Sequence, residues 1–118
     1  MENDTDNIIF SYTWDDAIRD GTFIDVTTTA KECGFKFPVA ITSNLFSSHI
    51  KHSDSSRQNG RLWDTLWMLR CAIKKSQDGF VEYQVIYGNR KITLWAVCEA
   101  RSLKNPEPII TIMLPEDR

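Results

Sequence analysis

Residues 61–75 carry the clearest periodic signal in the chain and constrain what the rest can build. At about 100° per residue, Leu62, Leu66, Leu69 and Ile73 fall on one stripe of a helix. Trp63 and Trp67, four apart, form a second stripe beside it. Cys71 widens that arc, while Arg61, Asp64, Thr65 and Lys75 take the opposite face with Met68 and Ala72 among them. The apolar arc spans roughly 200°, wider than the stripe of an ordinary surface helix. The pattern predicts a helix packed on more than one side. Arg70 falls inside that arc, between the leucines and the tryptophans. Lys74 lies near the tryptophans too, but at the helix end it can snorkel to water. Arg70 must be paired or must reach a cleft. The structural reading is an ion pair with Asp25 or Asp16. The functional reading is an anion-binding arginine that stacks on Trp63 or Trp67 and lines a pocket.

Around this helix the local signals alternate between short helices and strands. Residues 1–7 read as a frayed tail, and Ile8, Ile9 and Phe10 as a short extended piece. Thr13 and Asp16 have the spacing of a capping box, which opens a helix that Gly21 stops. Residues 22–26 suit a strand, interrupted by Asp25. Residues 27–29 can cap a second helix running to Cys33. Pro38 keeps Phe37 extended, residues 39–41 make a buried piece, and Thr42 or Ser43 caps a third helix to about Lys51. Residues 53–59 read as a loop or as the hydrophilic first turns of the next helix. Residues 80–87 and 91–99 alternate in polarity about a Gly88-Asn89 turn of hairpin type, and residues 109–114 form a last strand. The expected fold is α+β: short helices plus one longer central helix packed on a C-terminal three-stranded antiparallel meander. Residues 1–118 read as one domain.

Composition narrows the class. With 118 residues, 42% hydrophobic and 25% charged, the chain has ordinary globular usage, not that of a collagen or a disulfide scaffold. Its net charge of −2 lacks a global basic footprint for nucleic acid. Four Trp and six Phe are many for so short a chain, and packing of a small core accounts for most of them. Cys33, Cys71 and Cys98 are scattered and read as buried free thiols in a reducing cytoplasm. The start is acidic and polar, unlike a signal peptide, and no apolar run approaches a membrane span.

Other constellations have plain readings. His49 and His52, with Asp54 close by, have a spacing used in metal sites, but no further ligand matches it, so no metal or cofactor is expected. Asp15, Asp16, Asp20 and Asp25 crowd one region, where helix-start acids need no chemistry. No nucleophile context, phosphate loop or dinucleotide fingerprint is present. Short basic stretches at Arg57/Arg61, Lys74-Lys75 and Arg90-Lys91 read as solvated surface.

The segments Phe10-Ser11-Tyr12, Ala17-Ile18-x-Asp20-Gly21, Asp25-Val26-x-x-x-Ala30 and Gly34-Phe35-x-Phe37-Pro38-Val39-Ala40-Ile41-Thr42 together resemble an uncharacterised bacterial domain family. Gly60-Arg61-Leu62-Trp63-Asp64-x-Leu66-Trp67-Met68-Leu69-Arg70 and Ile110-Thr111-Ile112-Met113-Leu114-Pro115-Glu116-Asp117 carry its most specific parts. The resemblance spans most of the chain. It implies a passenger of plasmids, phages and conjugative elements, with accessory work that includes action against host defence. It brings no catalytic residues.

Three functional expectations follow. The first is a non-enzymatic factor that docks on a protein partner, with DNA a lesser candidate and no membrane. The second is a small-molecule or nucleotide-binding enzyme. In it Arg61, Asp64 and Arg70 hold an anionic ligand beside Trp63 or Trp67, and Asp25 serves as base. A structural subunit that forms homo-oligomers is a third.

Overall fold

The computed structural model describes residues 12–74 and 79–118. In chain order the elements are α1 (Trp14–Asp20), β1 (Phe23–Asp25), α2 (Thr27–Glu32), β2 (Val39–Thr42) and α3 (Ser43–Leu45), which runs into a π-helical turn (Phe46–Ile50). Then come α4 (Ser55–Ile73), β3 (Phe80–Tyr87), β4 (Arg90–Ala100), β5 (Pro108–Met113) and a closing 3-10 turn (Pro115–Asp117). The five strands form one mixed sheet in the order β1-β2-β5-β4-β3.

The fold is α+β, but the expected three-stranded meander is not its architecture. β3, β4 and β5 do pair antiparallel. β5 also pairs parallel with β2, placing Val39 opposite Ile110 and Ile41 opposite Ile112. β1 then extends the sheet antiparallel to β2. The reason lies in burial. All of β2 is buried, and so is β5 from Ile109 to Met113. Strands covered on both faces lose the polar alternation that marks a half-exposed strand, so their sequence carries no sign of which neighbour they choose.

The long helix takes the second of its two expected starts. It starts at Ser55, because the Asp54 side chain accepts from the Ser56 N–H at 2.9 Å and caps it. The polar stretch thus forms exposed first turns of a 19-residue helix. Its main packing partner is β3, an edge strand of the described sheet, so the helix is not central. Leu66 and Leu69 are fully buried under it, each contributing about 1.5–3 kcal/mol by leaving water.

Short-range signals hold more closely. Thr13 and Asp16 close the capping box at the start of α1, and Gly21 ends the helix at φ 88°. Thr42 caps α3 by accepting from the Leu45 N–H at 3.2 Å. The threonines of α2 are not its cap: the N-cap is Val26, with no side-chain bond, and one residue earlier Asp25 accepts from the Thr27 N–H at 2.9 Å. Tyr87 pairs with Arg90 across the Gly88-Asn89 turn.

Helices cover the sheet unequally. Ala30, Leu45, Ile50, Leu66 and Leu69 pack with Val39, Ile41, Tyr83, Val85, Leu94 and Ile112 on one face. On the other face α1 places Trp14 and Ile18 on Phe23, Ala40 and Ile109. Of the three cysteines only Cys33 is buried; Cys71 and Cys98 are exposed. No described helix is long and apolar enough to cross a membrane. The expected tail, the Ile8–Phe10 piece and Lys75 lie outside the described residues.

Candidate functional site

The tryptophan stripe of α4 faces outward. Trp63 is 38% exposed and Trp67 43%, so the helix is not covered on that side among the described residues. Their rings lie parallel, with centroids 6.4 Å apart and planes 9° apart. Met68, on a different face of the helix, is equally open. The aromatic excess is therefore not all packing: of these helix tryptophans and Trp14, only Trp14 is buried.

Arg70 joins this ledge. Its guanidinium lies 5.7 Å from the Trp67 ring centre. From the other side it presses on Gly34, where an added Cβ would stand 2.7 Å from Arg70 Nε. Gly34 sits at φ 101°, in a region that L side chains rarely adopt. The turn requires glycine there, and a Cβ would also displace the end of the Arg70 side chain. No carboxylate pairs with Arg70 among the described residues. Both expected partners are engaged elsewhere. Asp16 accepts from Arg19 and from the Thr13 N–H, which hold its carboxyl below the usual range. Asp25 accepts from both the N–H and the hydroxyl of Thr27. The expected ion pair does not form, because a cation stacked on an indole at the surface needs no buried counterion.

The remaining expected residues go elsewhere. Arg61 lies nine residues before Arg70, about 13 Å along the helix axis. It donates from Nη1 to the His49 carbonyl at 3.0 Å. Asp64 is exposed, and its charge acts on Tyr87. The structure therefore brings Trp63, Trp67 and Arg70 together, and leaves Arg61, Asp64 and Asp25 outside that group.

A second group, which sequence reasoning did not assemble, forms where α4 meets the β3–β4 turn. Thr65 is buried in the helix and donates its hydroxyl hydrogen to the Arg61 carbonyl at 2.8 Å. A hydroxyl has one hydrogen. Tyr87 Oη, 2.5 Å from Thr65 Oγ1, must therefore be the donor of that bond. Tyr83 Oη donates to the Thr65 carbonyl at 2.9 Å. Burial pushes the Tyr87 hydroxyl up to about 12 and raises Tyr83 well above its ordinary value, so both stay neutral donors. The His49 ring stacks on Tyr87 at 5.7 Å. His52 does not join it; its Nδ1 accepts from the Asp54 N–H at 2.9 Å. No cluster of three or more metal-ligating side chains occurs among the described residues.

A third feature is a cleft of about 790 Å³ whose lining includes Tyr12, Trp14, Phe23, Arg101, Leu103 and Ile109. Arg101 stacks on Trp14 at 5.2 Å. It is neutralised by Asp15 at 2.6 Å and Glu107 at 2.9 Å. Its charge is spent on holding the β4–β5 loop to α1.

Comparison with known proteins adds one fact. The model of a family of unknown function, DUF6573, matches residues 1–118. The chain belongs to that family. No curated protein and no solved structure matches it. The family's description carries no activity.

Proposed function

We propose that the chain is a non-enzymatic protein-binding factor that docks through the Trp63–Trp67–Arg70 ledge. The observation that carries this reading is the outward stack of two indoles beside a guanidinium with no carboxylate partner among the described residues. Tryptophan and arginine are the residue types that most often dominate binding energy at protein interfaces. The ledge suits a partner segment that offers an apolar side chain to the rings and a carboxylate to Arg70. In the setting the resemblance implies, the chain travels with a mobile element, acts in the cytoplasm and meets a host protein, including one of host defence.

The test is a pull-down from source-cell lysate over a range of salt, run with the native chain and with Trp63→Ala/Trp67→Ala. The expected result is one or more proteins retained by the native chain and lost from the variant. Recovery of nothing at any salt, or of the same proteins by both, contradicts the reading. Light scattering on the purified chain separates a partner from a second copy.

A further inference from the structure

Two of the short basic stretches converge on one residue. Arg61 comes from α4 and Arg90 from the start of β4, and both reach His49 in the π-helical turn. Arg61 Nη1 donates to the His49 carbonyl at 3.0 Å. Arg90 Nη2 lies 3.3 Å from His49 Nδ1. A guanidinium can only donate, so Nδ1 is the acceptor. The imidazole is therefore neutral, with its hydrogen on Nε2. Stacking on Tyr87 at an interplanar angle of 12° fixes the ring. Arg61 Nη2 also comes within 3.8 Å of where a Cβ on Gly88 would stand, which puts its guanidinium beside the hairpin turn.

The arrangement holds two full positive charges against one residue, Arg61 on its carbonyl and Arg90 on its ring. Neither guanidinium forms an ion pair among the described residues. Neither spends more than one of its donors there. The cost shows on His49: burial first, then Arg90 and Arg61, hold it below its ordinary value, while Glu116 pulls the other way. Tyr87, stacked on the ring, completes the groups around it. Like charges held together with idle donors are relieved by a doubly charged oxyanion, and a guanidinium fork matches phosphate oxygens.

We propose that His49, Arg61 and Arg90 form a binding site for a phosphate monoester group, whose oxygens accept the free guanidinium hydrogens and the His49 Nε2–H. The site is independent of the tryptophan ledge and stands or falls apart from it.

Inorganic phosphate is the probe, titrated into the full chain at constant ionic strength set with sodium chloride. Calorimetry reads the affinity and NMR reads the His49 ring. Saturable binding is expected, with the His49 titration midpoint moving upward, because a bound dianion favours the imidazolium. Arg90→Ala, at an exposed position, weakens binding about tenfold or more, the effect of losing a charged hydrogen bond. Arg61→Gln does the same, provided its unfolding curve matches the native one. Adenosine monophosphate binds at least as well as phosphate, and a DNA duplex without terminal phosphates binds more weakly. Three outcomes overturn the proposal: phosphate acting no differently from chloride, unchanged affinity in Arg90→Ala, or tighter binding of the duplex, which assigns the cluster to a phosphodiester backbone.

Discussion

The buried pair Thr65 and Tyr87 makes an asymmetric prediction. Thr65→Val removes the acceptor of Tyr87 Oη and leaves that hydroxyl unpaired in a residue only 2% exposed. It also deletes the bond from Thr65 to the Arg61 carbonyl. An orphaned buried donor costs about 2–3 kcal/mol. Tyr87→Phe removes the donor instead, and Thr65 keeps its bond to Arg61. That change costs about 1 kcal/mol. In the double variant two apolar groups face each other and no hydroxyl is stranded. Its cost is about 1–1.5 kcal/mol, well under the sum of the singles. The Tyr83 bond to the Thr65 carbonyl persists in all three. Urea unfolding followed by far-UV circular dichroism gives the four free energies, with equal slopes required for comparison. Additive costs within about 0.5 kcal/mol refute the bond itself, and a larger cost for Tyr87→Phe than for Thr65→Val refutes its assigned direction.

Other perturbations follow from single residues. Gly34→Ala should cost at least about 1–2 kcal/mol in urea unfolding, since a side chain is forced to positive φ, and Arg70→Ala in the same chain should recover only the part due to the arginine. Asp25→Ala removes the bonds to the Thr27 N–H and hydroxyl at the start of α2 and should cost about 1 kcal/mol; a group acting only as a base would instead leave stability unchanged. His49 lies below its ordinary 6.5 in the fold, so the unfolded chain binds its proton more readily. Its contribution to stability is full above 6.5 and declines as pH falls toward the folded value. His49→Gln should abolish that slope in urea midpoints measured on both sides of this range. Asp15, Asp16 and Asp20 lie below their ordinary 3.8, so their contribution is lost as pH drops beneath that value, chiefly as Arg101, Thr13 and Tyr12 lose charged partners.

The parts of this fold legible in sequence are those decided within a few residues. The Thr13–Asp16 box, the Gly21 stop, the Thr42 cap and the Gly88-Asn89 hairpin depend on local spacing, and each forms. The β2–β5 parallel pair depends on which buried strands meet, and Val39–Thr42 carries no label for Ile110. The site follows the same division. Trp63, Trp67 and Arg70 share a helix, so their proximity was readable. That the stripe faces water was not, because an apolar arc does not say which half is covered. Gly34 as the seat of Arg70 needed the α2–β2 connection to come close to α4. Arg90 was readable only as one of several basic residues. Its meeting with His49 depends on the β3–β4 turn reaching the π-helical turn, which no spacing encodes.

The central claim is that the tryptophan ledge is a contact face, and cross-linking inside source cells tests it most directly. A photoreactive benzoylphenylalanine placed at Cys71, exposed and one helical turn beyond Trp67, should give on irradiation a discrete adduct with another protein. The adduct should disappear when Trp63→Ala and Trp67→Ala are added. The same probe at Gln84, exposed on β3, should give none. No adduct from position 71, or an equal one from position 84, contradicts the account.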